Sequence, residues 1–367
     1  MILKINNEKE KMMSQGNSSA PILVTGATGY IASWVIQKLL EQGYTVHATV
    51  RDLNKKASFA HLEKIAAQSS GTLQLFKANL LENGSFDEAM QGCEIVLHMA
   101  SPFVVTNYKD AVKDIIGPAI LGTENVLNSV NKTESVKRVV VTSSIASTYG
   151  DAVDILKTAH NEFDESNWNT TSSTTHQPYP YSKVMAERKA WEMAEAQNRW
   201  RLVCVNPALV LGPSLTANTQ SGSIEVLEQF ANGMTLLGVP PMWNGIVDVR
   251  DVADAHLQAA LNENASGRYI ISGGSLSLLD MGKILRQHFG FKFPFPYNQV
   301  PKAMFKLIGP KFGYSRDFIE KNMGYPIFFN AEKSKRELGL HYRNIETSLV
   351  EHFQQLLDDG VVKKYIP

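Results

Sequence analysis

Two glycines between a short apolar run and an amphipathic segment constrain this chain more than any other feature. The run Ile22–Val24 is typical of a buried strand, and Gly26 and Gly29 follow it at once. In the next segment the apolar side chains recur at helical spacing, on one face made of Ile31, Val35, Ile36, Leu39 and Leu40. A second strand-like run, Thr45–Val50, is rich in β-branched residues. This order of strand, glycine turn, helix and strand predicts a dinucleotide-binding unit.

The glycine turn has a physical reason in such a unit. The N-terminus of a helix has free N–H groups and the positive end of the helix dipole, which together favour a pyrophosphate. We expect Gly26 to permit the tight turn and Gly29 to let the backbone approach a phosphate. The small side chain of Ala32 would let the helix pack closely on the strand.

The residue at the end of the second strand indicates which cofactor binds. Units that bind NAD usually place Asp or Glu there to hold the ribose 2′-hydroxyl, whereas an Arg favours the 2′-phosphate of NADP. Here the residue is Arg51, and Lys55 and Lys56 follow shortly after it. We therefore predict NADP. Two alternatives stay open: Asp52 is the ribose ligand of NAD, or the basic residues form a solvated turn.

Composition excludes several classes of function. A length of 367 residues predicts one large domain or two closely joined domains. Lys plus Arg and Asp plus Glu both number 36, so charge gives no sign of a nucleic-acid or membrane partner. No apolar run approaches the roughly 18–20 residues of a membrane span. Cys93 and Cys204 lack metal-site spacing, so we expect no metal and a reducing, cytoplasmic compartment.

Strand-like and helical segments alternate along most of the chain. Further strands are predicted at residues 73–77, 94–99, 136–142, 202–205 and 268–272. This alternation predicts an α/β fold with a doubly wound parallel sheet of the Rossmann type. Ligands bind beyond the carboxyl ends of such strands, so we expect one crevice to be faced by Gly26, Arg51, Asn79, Ala100 and Ser144.

These segments also suggest how the chain divides into domains. Residues 1–20 are polar, lack the apolar core of a signal peptide and predict a disordered tail. Residues 21–212 would form the NADP-binding domain, with residues 245–272 returning to it. Residues 213–367 would form mostly a smaller substrate-binding domain. Within it, residues 216–244 are expected to help select the substrate. The polar segment 164–177 is expected to act as a flexible lid or substrate loop.

A tyrosine and a lysine carry the predicted chemistry. Tyr179 and Lys183 are four residues apart, so a helix would place them on one face. An ammonium group near a phenol stabilises the phenolate, which helps the phenol give a proton to a carbonyl or take one from an alcohol. The hydroxyl of Ser144, at a predicted strand end, can hydrogen-bond the same substrate oxygen. The residues alone do not choose between Ser144 and its neighbour Ser143.

Two further details concern this segment. Pro180 biases the preceding residue away from helical geometry, which predicts Tyr179 as the N-cap and Pro180 as the first helical residue. Tyr181 is a competing phenol, but its spacing from Lys183 would point it elsewhere on a helix. His98, at the end of a buried strand, is expected to pack or to form a hydrogen bond rather than to catalyse.

These stretches resemble the extended short-chain dehydrogenase/reductase superfamily. The similarity is closest to its dihydroflavonol reductase-like branch, which includes cinnamoyl-CoA reductases and yeast methylglyoxal/aldehyde reductases, and it covers residues 21 to about 356. The matching segments are residues 24–32 (VTGATGYIA), 48–52 (ATVRD), 84–89 (GSFDEA), 141–144 (VTSS), 179–183 (YPYSK) and 247–253 (VDVRDVA).

The resemblance implies NADPH-dependent reduction of a small-molecule carbonyl to an alcohol by a monomer or homodimer. It assigns catalysis to Ser144, Tyr179 and Lys183. It assigns cofactor contacts to Thr25, Gly26, Thr28, Gly29, Tyr30, Ile31, Arg51, Lys55, Asn79, Leu80, Met99, Ala100, Ser101, Tyr179, Lys183, Pro207, Leu209, Val210 and Ser223. One departure is Asn79, where the family usually has an Asp that meets the adenine amino group. An amide oxygen can still accept that bond, so we expect a weaker adenine contact.

Three other functions fit the same scaffold. A nucleotide-sugar epimerase or dehydratase would hold NAD, which Arg51 disfavours. A 3β-hydroxysteroid dehydrogenase-like enzyme differs only in substrate. A non-enzymatic NADP-sensing protein would typically lack the catalytic Tyr or Lys, and here Ser144, Tyr179 and Lys183 are all present.

Overall fold

The computed structural model describes residues 20–102, 109–217 and 221–363 of the chain. The predicted tail, residues 1–20, lies outside the described residues except for Ala20. Over the described ranges the strands are β1 (Ile22–Val24), β2 (Thr45–Val50), β3 (Thr72–Lys77), β4 (Ile95–His98), β5 (Arg138–Thr142), β6 (Arg201–Pro207), β7 (Leu209–Leu211), β8 (Trp243–Asp248), β9 (Gly267–Ile271) and β10 (Gly274–Ser277).

Helices separate most of these strands. The α-helices are α1 (Tyr30–Glu41), α2 (Ala60–Gln68), α3 (Asp87–Met90), α4 (Gly117–Lys132), α5 (Pro178–Glu195), α6 (Gly222–Ala231), α7 (Val249–Leu261), α8 (Leu278–Phe289), α9 (Lys302–Ile308), α10 (Arg316–Asn322), α11 (Glu332–Leu338) and α12 (Ile345–Asp358). Shorter 3₁₀ turns include Ile145–Ser147 and Ala152–Lys157. A π-helical turn, Val112–Ile116, directly precedes α4.

The large sheet has seven parallel strands in the order β3-β2-β1-β4-β5-β6-β9. The order reverses between β1 and β4, as in a doubly wound fold, so the predicted fold class is confirmed. Successive side chains of a strand point to opposite faces. Accordingly, Ile22 and Val24 join one apolar cluster with α1 and α7, whereas Leu23 joins the other cluster with α4 and α5.

A second, smaller sheet has the order β10-β8-β7. In it β8 pairs with β7 in parallel and with β10 antiparallel. Of residues 245–272, β8 lies in this smaller sheet, whereas α7 packs on α1 and β9 joins the large sheet. The predicted division of the chain into domains stays a prediction. The sequence did not indicate the smaller sheet because β7 and β10, of 3 and 4 residues, are too short to show a periodic pattern.

Two contacts connect the glycine-turn helix to the smaller sheet. The Tyr30 hydroxyl donates to the Gly212 carbonyl at 2.5 Å, and the Trp34 indole N–H donates to the Pro213 carbonyl at 2.8 Å. Both acceptors lie directly after β7. The unit formed by β1, the glycine turn and α1 is therefore fixed against the smaller sheet by two buried or half-buried side chains of α1.

A buried carboxylate at the end of β8 strengthens the same junction. Asp248 accepts two side-chain bonds from Arg250, at 2.8 and 2.7 Å, and one from the Ser348 hydroxyl of α12 at 2.6 Å. Burial alone would raise the pKa of Asp248, but these bonds outweigh it and hold the pKa below its ordinary value.

Along the described parts of the chain, no helix is both long and apolar enough to cross a bilayer.

Three buried histidines make the fold sensitive to acid. Burial lowers the pKa of His98, His256 and His352 from the ordinary 6.5 to about 4. The unfolded chain therefore binds more protons than the folded chain between those two pH values, so the stabilisation is complete above about pH 6.5 and is lost as the pH falls toward 4.

We expect the free energy of unfolding to fall between pH 7 and pH 5 in urea titrations. Each histidine contributes a slope of up to about 1.4 kcal/mol per pH unit. The variant His352→Leu takes up one proton fewer on unfolding, so its free energy of unfolding should depend less steeply on pH. A slope that is the same in the variant and the wild type would contradict the assignment of His352 as a buried neutral group.

Candidate active site

The glycine turn between β1 and α1 requires glycine at Gly26. Its φ is +69°, a left-handed conformation that disfavours a side chain, and an added Cβ would lie 2.8 Å from the Ala100 Cα. Gly29 has an ordinary φ of −72° and is the N-cap of α1, with no side-chain cap. The first-turn N–H groups of α1 are therefore not satisfied by a capping side chain, which is the arrangement that fits a pyrophosphate.

The Thr25 hydroxyl joins this turn to the segment after β4. It accepts the backbone N–H groups of Met99 and Ala100, both at 3.0 Å, and its oxygen lies 3.1 Å from the Nδ1 of His98. A hydroxyl that accepts twice uses its own proton for the third contact, so Nδ1 of His98 is the acceptor. This fits a neutral imidazole, whose pKa is lowered to about 4 by burial and by Lys183. His98 is thus buried and hydrogen-bonded.

Helix α5 begins earlier than predicted. Gln177, in a left-handed conformation with φ 53°, is the N-cap, and Pro178 is the first helical residue. Tyr179 lies inside the first turn, so its prediction as the N-cap is wrong. The first N–H groups of a helix have no partner within the helix, and two prolines there therefore remove no helical hydrogen bond.

The first two turns of α5 place Tyr179 and Lys183 together. The Lys183 Nζ lies 5.5 Å from the centre of the Tyr179 ring. It also donates to the Ser101 Oγ at 2.9 Å, which links α5 to the segment that Thr25 holds. The structure therefore brings Tyr179, Lys183 and residues 99–101 to the same edge of the large sheet as the glycine turn.

Two adjacent serines follow β5 and differ in environment. Ser143 is buried, and its hydroxyl donates to the carboxylate of Glu187. Ser144 is half-buried and is the N-cap of the turn Ile145–Ser147, where its Oγ accepts the Ala146 N–H at 3.1 Å. Its hydroxyl proton remains available for a substrate oxygen. This difference favours Ser144, which the residues alone did not separate from Ser143.

The end of β2 presents a free cation. Arg51 is exposed and has no ion-pair or hydrogen-bond partner within residues 20–102, 109–217 and 221–363. Lys55 is also exposed. The rival ligand Asp52 accepts the Asn54 N–H at 3.0 Å and so caps the local turn. Its second carboxylate oxygen has no bond within the described residues, so the choice between NADP and NAD stays a prediction.

Asn79 is oriented by its neighbours after β3. Its amide nitrogen donates to Glu82 Oε1 at 2.8 Å, and its amide oxygen accepts the Leu81 N–H at 3.2 Å. The oxygen keeps a second lone pair, so the predicted bond from an adenine amino group stays a prediction. The adjacent Leu80 packs beside Gly122 of α4.

Other predicted cofactor contacts have mixed surroundings. The Tyr30 side chain is buried against Gly212, so only its main chain is available to a cofactor. Ser223 is buried in the first turn of α6, with its hydroxyl 2.8 Å from that of Ser221. The remaining predicted residues are half-buried or buried. Thr28 and Ile31 lie in the glycine turn and at the start of α1, and Pro207, Leu209 and Val210 lie at the end of β6 and in β7.

Hydrogen bonds tie the segment 164–177 to its surroundings, and its role as a flexible lid or substrate loop stays a prediction. Asn169 donates its N–H to the Ser147 carbonyl at 2.9 Å and its side-chain amide to the Ala146 carbonyl at 2.8 Å. The Thr171 hydroxyl donates to Asp154 Oδ2 at 2.6 Å. The polar side chains that suggested mobility are the groups that tie the segment down. The second segment expected to select the substrate, 216–244, includes residues 218–220, which lie outside the described residues.

Two charged residues beside the site were not predicted. Glu187 and Arg268 form a buried ion pair of 2.6 Å between α5 and β9. Glu187 falls four residues after Lys183 on the same helix face, which is the one signal in the sequence that could have indicated it. Within the described ranges, no group of three or more His, Cys, Asp or Glu side chains could hold a metal ion.

One open cleft lies away from these residues. This hollow of about 990 Å³ is lined by residues of α8 and α12 and by their neighbours, including Arg250, His288 and Asn344. None of the predicted site residues lines it. Arg250 is already paired with Asp248 and Glu351, so the hollow offers no free cation of its own there.

Comparisons with known proteins agree with this geometry. Residues 22–272 match the model of the NAD dependent epimerase/dehydratase family. A cinnamoyl-CoA reductase of Medicago truncatula is 37% identical over 94% of this chain and 98% of its own length. An anthocyanidin reductase of Arabidopsis thaliana is 39% identical over 72% of this chain and 79% of its own. The crystal structure of a yeast methylglyoxal/isovaleraldehyde reductase complexed with NADPH superposes with a TM-score of 0.73 at 26% identity, over 93% of this chain and 99% of that one.

The variant Gly26→Ala should lose most NADPH affinity, because its Cβ would collide with Ala100 and displace the turn. Gly92→Ala is the matched control, since Gly92 also has a positive φ of +74° but an added Cβ meets nothing within 4 Å. We expect the control to cost about 1–2 kcal/mol of stability and to bind NADPH normally. Equal NADPH dissociation constants for the two folded variants would show that the turn does not shape the cofactor site.

Proposed function

The chain belongs to the NAD dependent epimerase/dehydratase family, the extended short-chain dehydrogenases/reductases, and on this premise we propose that it is an NADPH-dependent carbonyl reductase. Within the family it falls in the dihydroflavonol reductase-like branch. The proposed reaction converts an aldehyde or ketone to the corresponding alcohol in the cytoplasm.

One observation carries the proposal. Tyr179 and Lys183 occupy the first two turns of α5, and Lys183 bonds Ser101 in the segment that Thr25 fixes beside the glycine turn. A proton donor, a cation and a predicted phosphate site therefore share one edge of the large sheet. A protein that only bound a dinucleotide would not need this combination.

Each of three side chains has a distinct role in the proposed reaction. NADPH, when bound, supplies the hydride that reduces the carbonyl carbon. The Tyr179 hydroxyl gives its proton to the carbonyl oxygen, which becomes the alcohol oxygen. The Ser144 hydroxyl donates a hydrogen bond to the same oxygen and orients it. The Lys183 ammonium stabilises the phenolate that Tyr179 becomes, and it holds the nicotinamide ribose.

The choice of NADPH is supported by Arg51, an exposed guanidinium without a partner in the described part of the chain. A guanidinium can bind a phosphate through two parallel hydrogen bonds. The yeast reductase of similar fold was crystallised with NADPH. Lys55 is a second candidate for the 2′-phosphate, and Asn79 is the candidate for the adenine.

The variant Tyr179→Phe should lose at least about 100-fold in turnover, because general acid catalysis typically contributes that much or more. NADPH affinity should stay within about twofold, since the ring remains. Turnover would be measured as NADPH oxidation with methylglyoxal, aromatic aldehydes, diketones, a dihydroflavonol and cinnamoyl-CoA.

Tyr181→Phe is the matched control for this experiment. It removes a phenol two residues along the same helix and should leave turnover unchanged. Retained turnover in Tyr179→Phe would overturn the proposed mechanism. Binding of NADPH by the wild type without turnover on any substrate would instead indicate a sensing protein or a sugar-nucleotide enzyme.

The variant Arg51→Gln should raise the KM for NADPH by about 10- to 100-fold, the worth of a charge-assisted contact to phosphate. The KM for NADH should change little, because NADH lacks the 2′-phosphate. Arg336→Gln, at another exposed arginine, is the control and should have no effect. An enzyme that prefers NADH and loses that preference in Asp52→Asn would show that Asp52 selects the cofactor.

A further inference from the structure

A buried carboxylate lies directly behind the proposed catalytic residues. Glu187 is on α5, one helical turn after Lys183 and two turns after Tyr179. Its side chain is 0% exposed. The part of α5 that carries the proposed proton donor is therefore continuous with a helix segment that holds a fully buried acid.

Glu187 accepts hydrogen bonds from five side chains. Its Oε2 is bonded by Ser143, by Ser147 at 2.5 Å and by Asn206 at 2.8 Å. Its Oε1 is bonded by Arg268 at 2.6 Å and by Trp191 at 3.3 Å. Arg268, Trp191 and Asn206 can only donate through the atoms that face Glu187, so the carboxyl group is the acceptor in these three bonds.

Asn206 shows how strongly this carboxylate orders its surroundings. The Asn206 amide nitrogen faces Glu187, and its buried amide oxygen has no hydrogen-bond partner among the described residues. If the amide were flipped, its oxygen would face the Glu187 carboxylate, and two acceptors would then lie against each other. The orientation of Asn206 is thus dictated by Glu187.

Two of the five partners lie on either side of Ser144 in the sequence. Ser143 directly precedes Ser144, Ser147 ends the turn that Ser144 caps, and the Ser144 carbonyl lies 2.7 Å from the Ser147 hydroxyl. Glu187 therefore connects both sides of Ser144 to α5, the helix that carries Tyr179.

Arg268 extends the connection to the segment 164–177. It is only 6% exposed, and it donates to the carbonyls of Glu165 at 2.9 Å and Asn167 at 2.6 Å. Its guanidinium carbon lies 3.9 Å from the centre of the Trp168 ring, and its Nη2 donates to Ser147 at 2.9 Å. One guanidinium thus holds this segment, the Ser144 turn and α5 together.

We propose that Glu187 and Arg268 are positioning residues that hold Ser144 in register with Tyr179, so that both hydroxyls reach one substrate oxygen. This inference rests on the proposed reductase function. Neither residue takes part in proton or hydride transfer. Their contribution is the fixed separation of two hydroxyl groups that come from different elements.

The test compares kcat and the KM for NADPH in Glu187→Gln and in Ser143→Ala. Glu187→Gln places an amide nitrogen among donors, and we expect kcat to fall about 10- to 100-fold, as for a displacement of a catalytic group by about 1 Å. Ser143→Ala removes a single donor and should lower kcat several-fold. The KM for NADPH should stay within about twofold in both variants. Glu195→Gln, exposed on the same helix, is the control.

A second background separates positioning from general destabilisation. In a Ser144→Ala enzyme the Ser144 hydroxyl is absent, so Glu187→Gln and Ser143→Ala should lower kcat little further. An equal fold loss in both backgrounds, or a wild-type kcat in Glu187→Gln, would overturn the proposal. If Glu187→Gln does not fold, Ser143→Ala decides by the same comparison. A wild-type enzyme without reductase turnover would overturn the proposed function, and the inference with it.

Discussion

Parallel pairing of the central strands is the constraint on which the site depends. In the register of the sheet Val24 pairs with Leu97, His98 with Val141, and Thr142 with Val205. Because parallel strands end at the same edge, chain segments more than 100 residues apart meet there. The glycine turn, the segment 99–101 and the serine pair are neighbours for this reason, and α5 covers them from one side.

Buried acids then fix the elements that the sheet alone would leave adjustable. Asp248 joins the smaller sheet to α12, and Glu187 joins the Ser144 turn to α5. Each has an arginine partner and hydroxyl donors, which compensates for the loss of hydration. Removal of the arginine partner would leave a buried charge without its counter-ion, so each acid favours the arrangement in which that partner is present. The proposed chemistry needs a fixed arrangement, since two hydroxyls from different elements act on one atom.

The sequence predicted the parts of the structure whose signals are local. Strands β2 and β5 and helix α1 follow from apolar periodicity, and Gly26 follows from the turn that must join β1 to α1. Strands β7 and β10 were not predicted because 3 or 4 residues are too few to show a periodic apolar pattern. Their pairing with β8 is a tertiary contact that local sequence does not reveal. Tyr179 was predicted as the N-cap because a residue before proline is biased away from helical geometry. Proline is also well tolerated in the first turn of a helix, and in this chain that tolerance prevails.

The least predictable part of the site was the network behind it. Glu187 gathers partners from four separate stretches of chain, and no spacing rule connects Ser143, Asn206 and Arg268. The polar segment 164–177 suggested mobility for the same reason, since its partners are visible only in three dimensions. Tyr179 and Lys183 came from their spacing, the choice of Ser144 came from the family resemblance, and the structure adds the different surroundings of Ser143 and Ser144.

The most direct measurement is isotope transfer. The wild-type protein would be incubated with a carbonyl substrate and NADPH that carries deuterium at C4 of the nicotinamide, and the alcohol would be analysed by mass spectrometry. We expect the alcohol to carry one deuterium at the former carbonyl carbon, from one of the two C4 positions only. Alcohol formed without deuterium from either labelled cofactor, or no alcohol from any carbonyl tested, would contradict hydride transfer at this site.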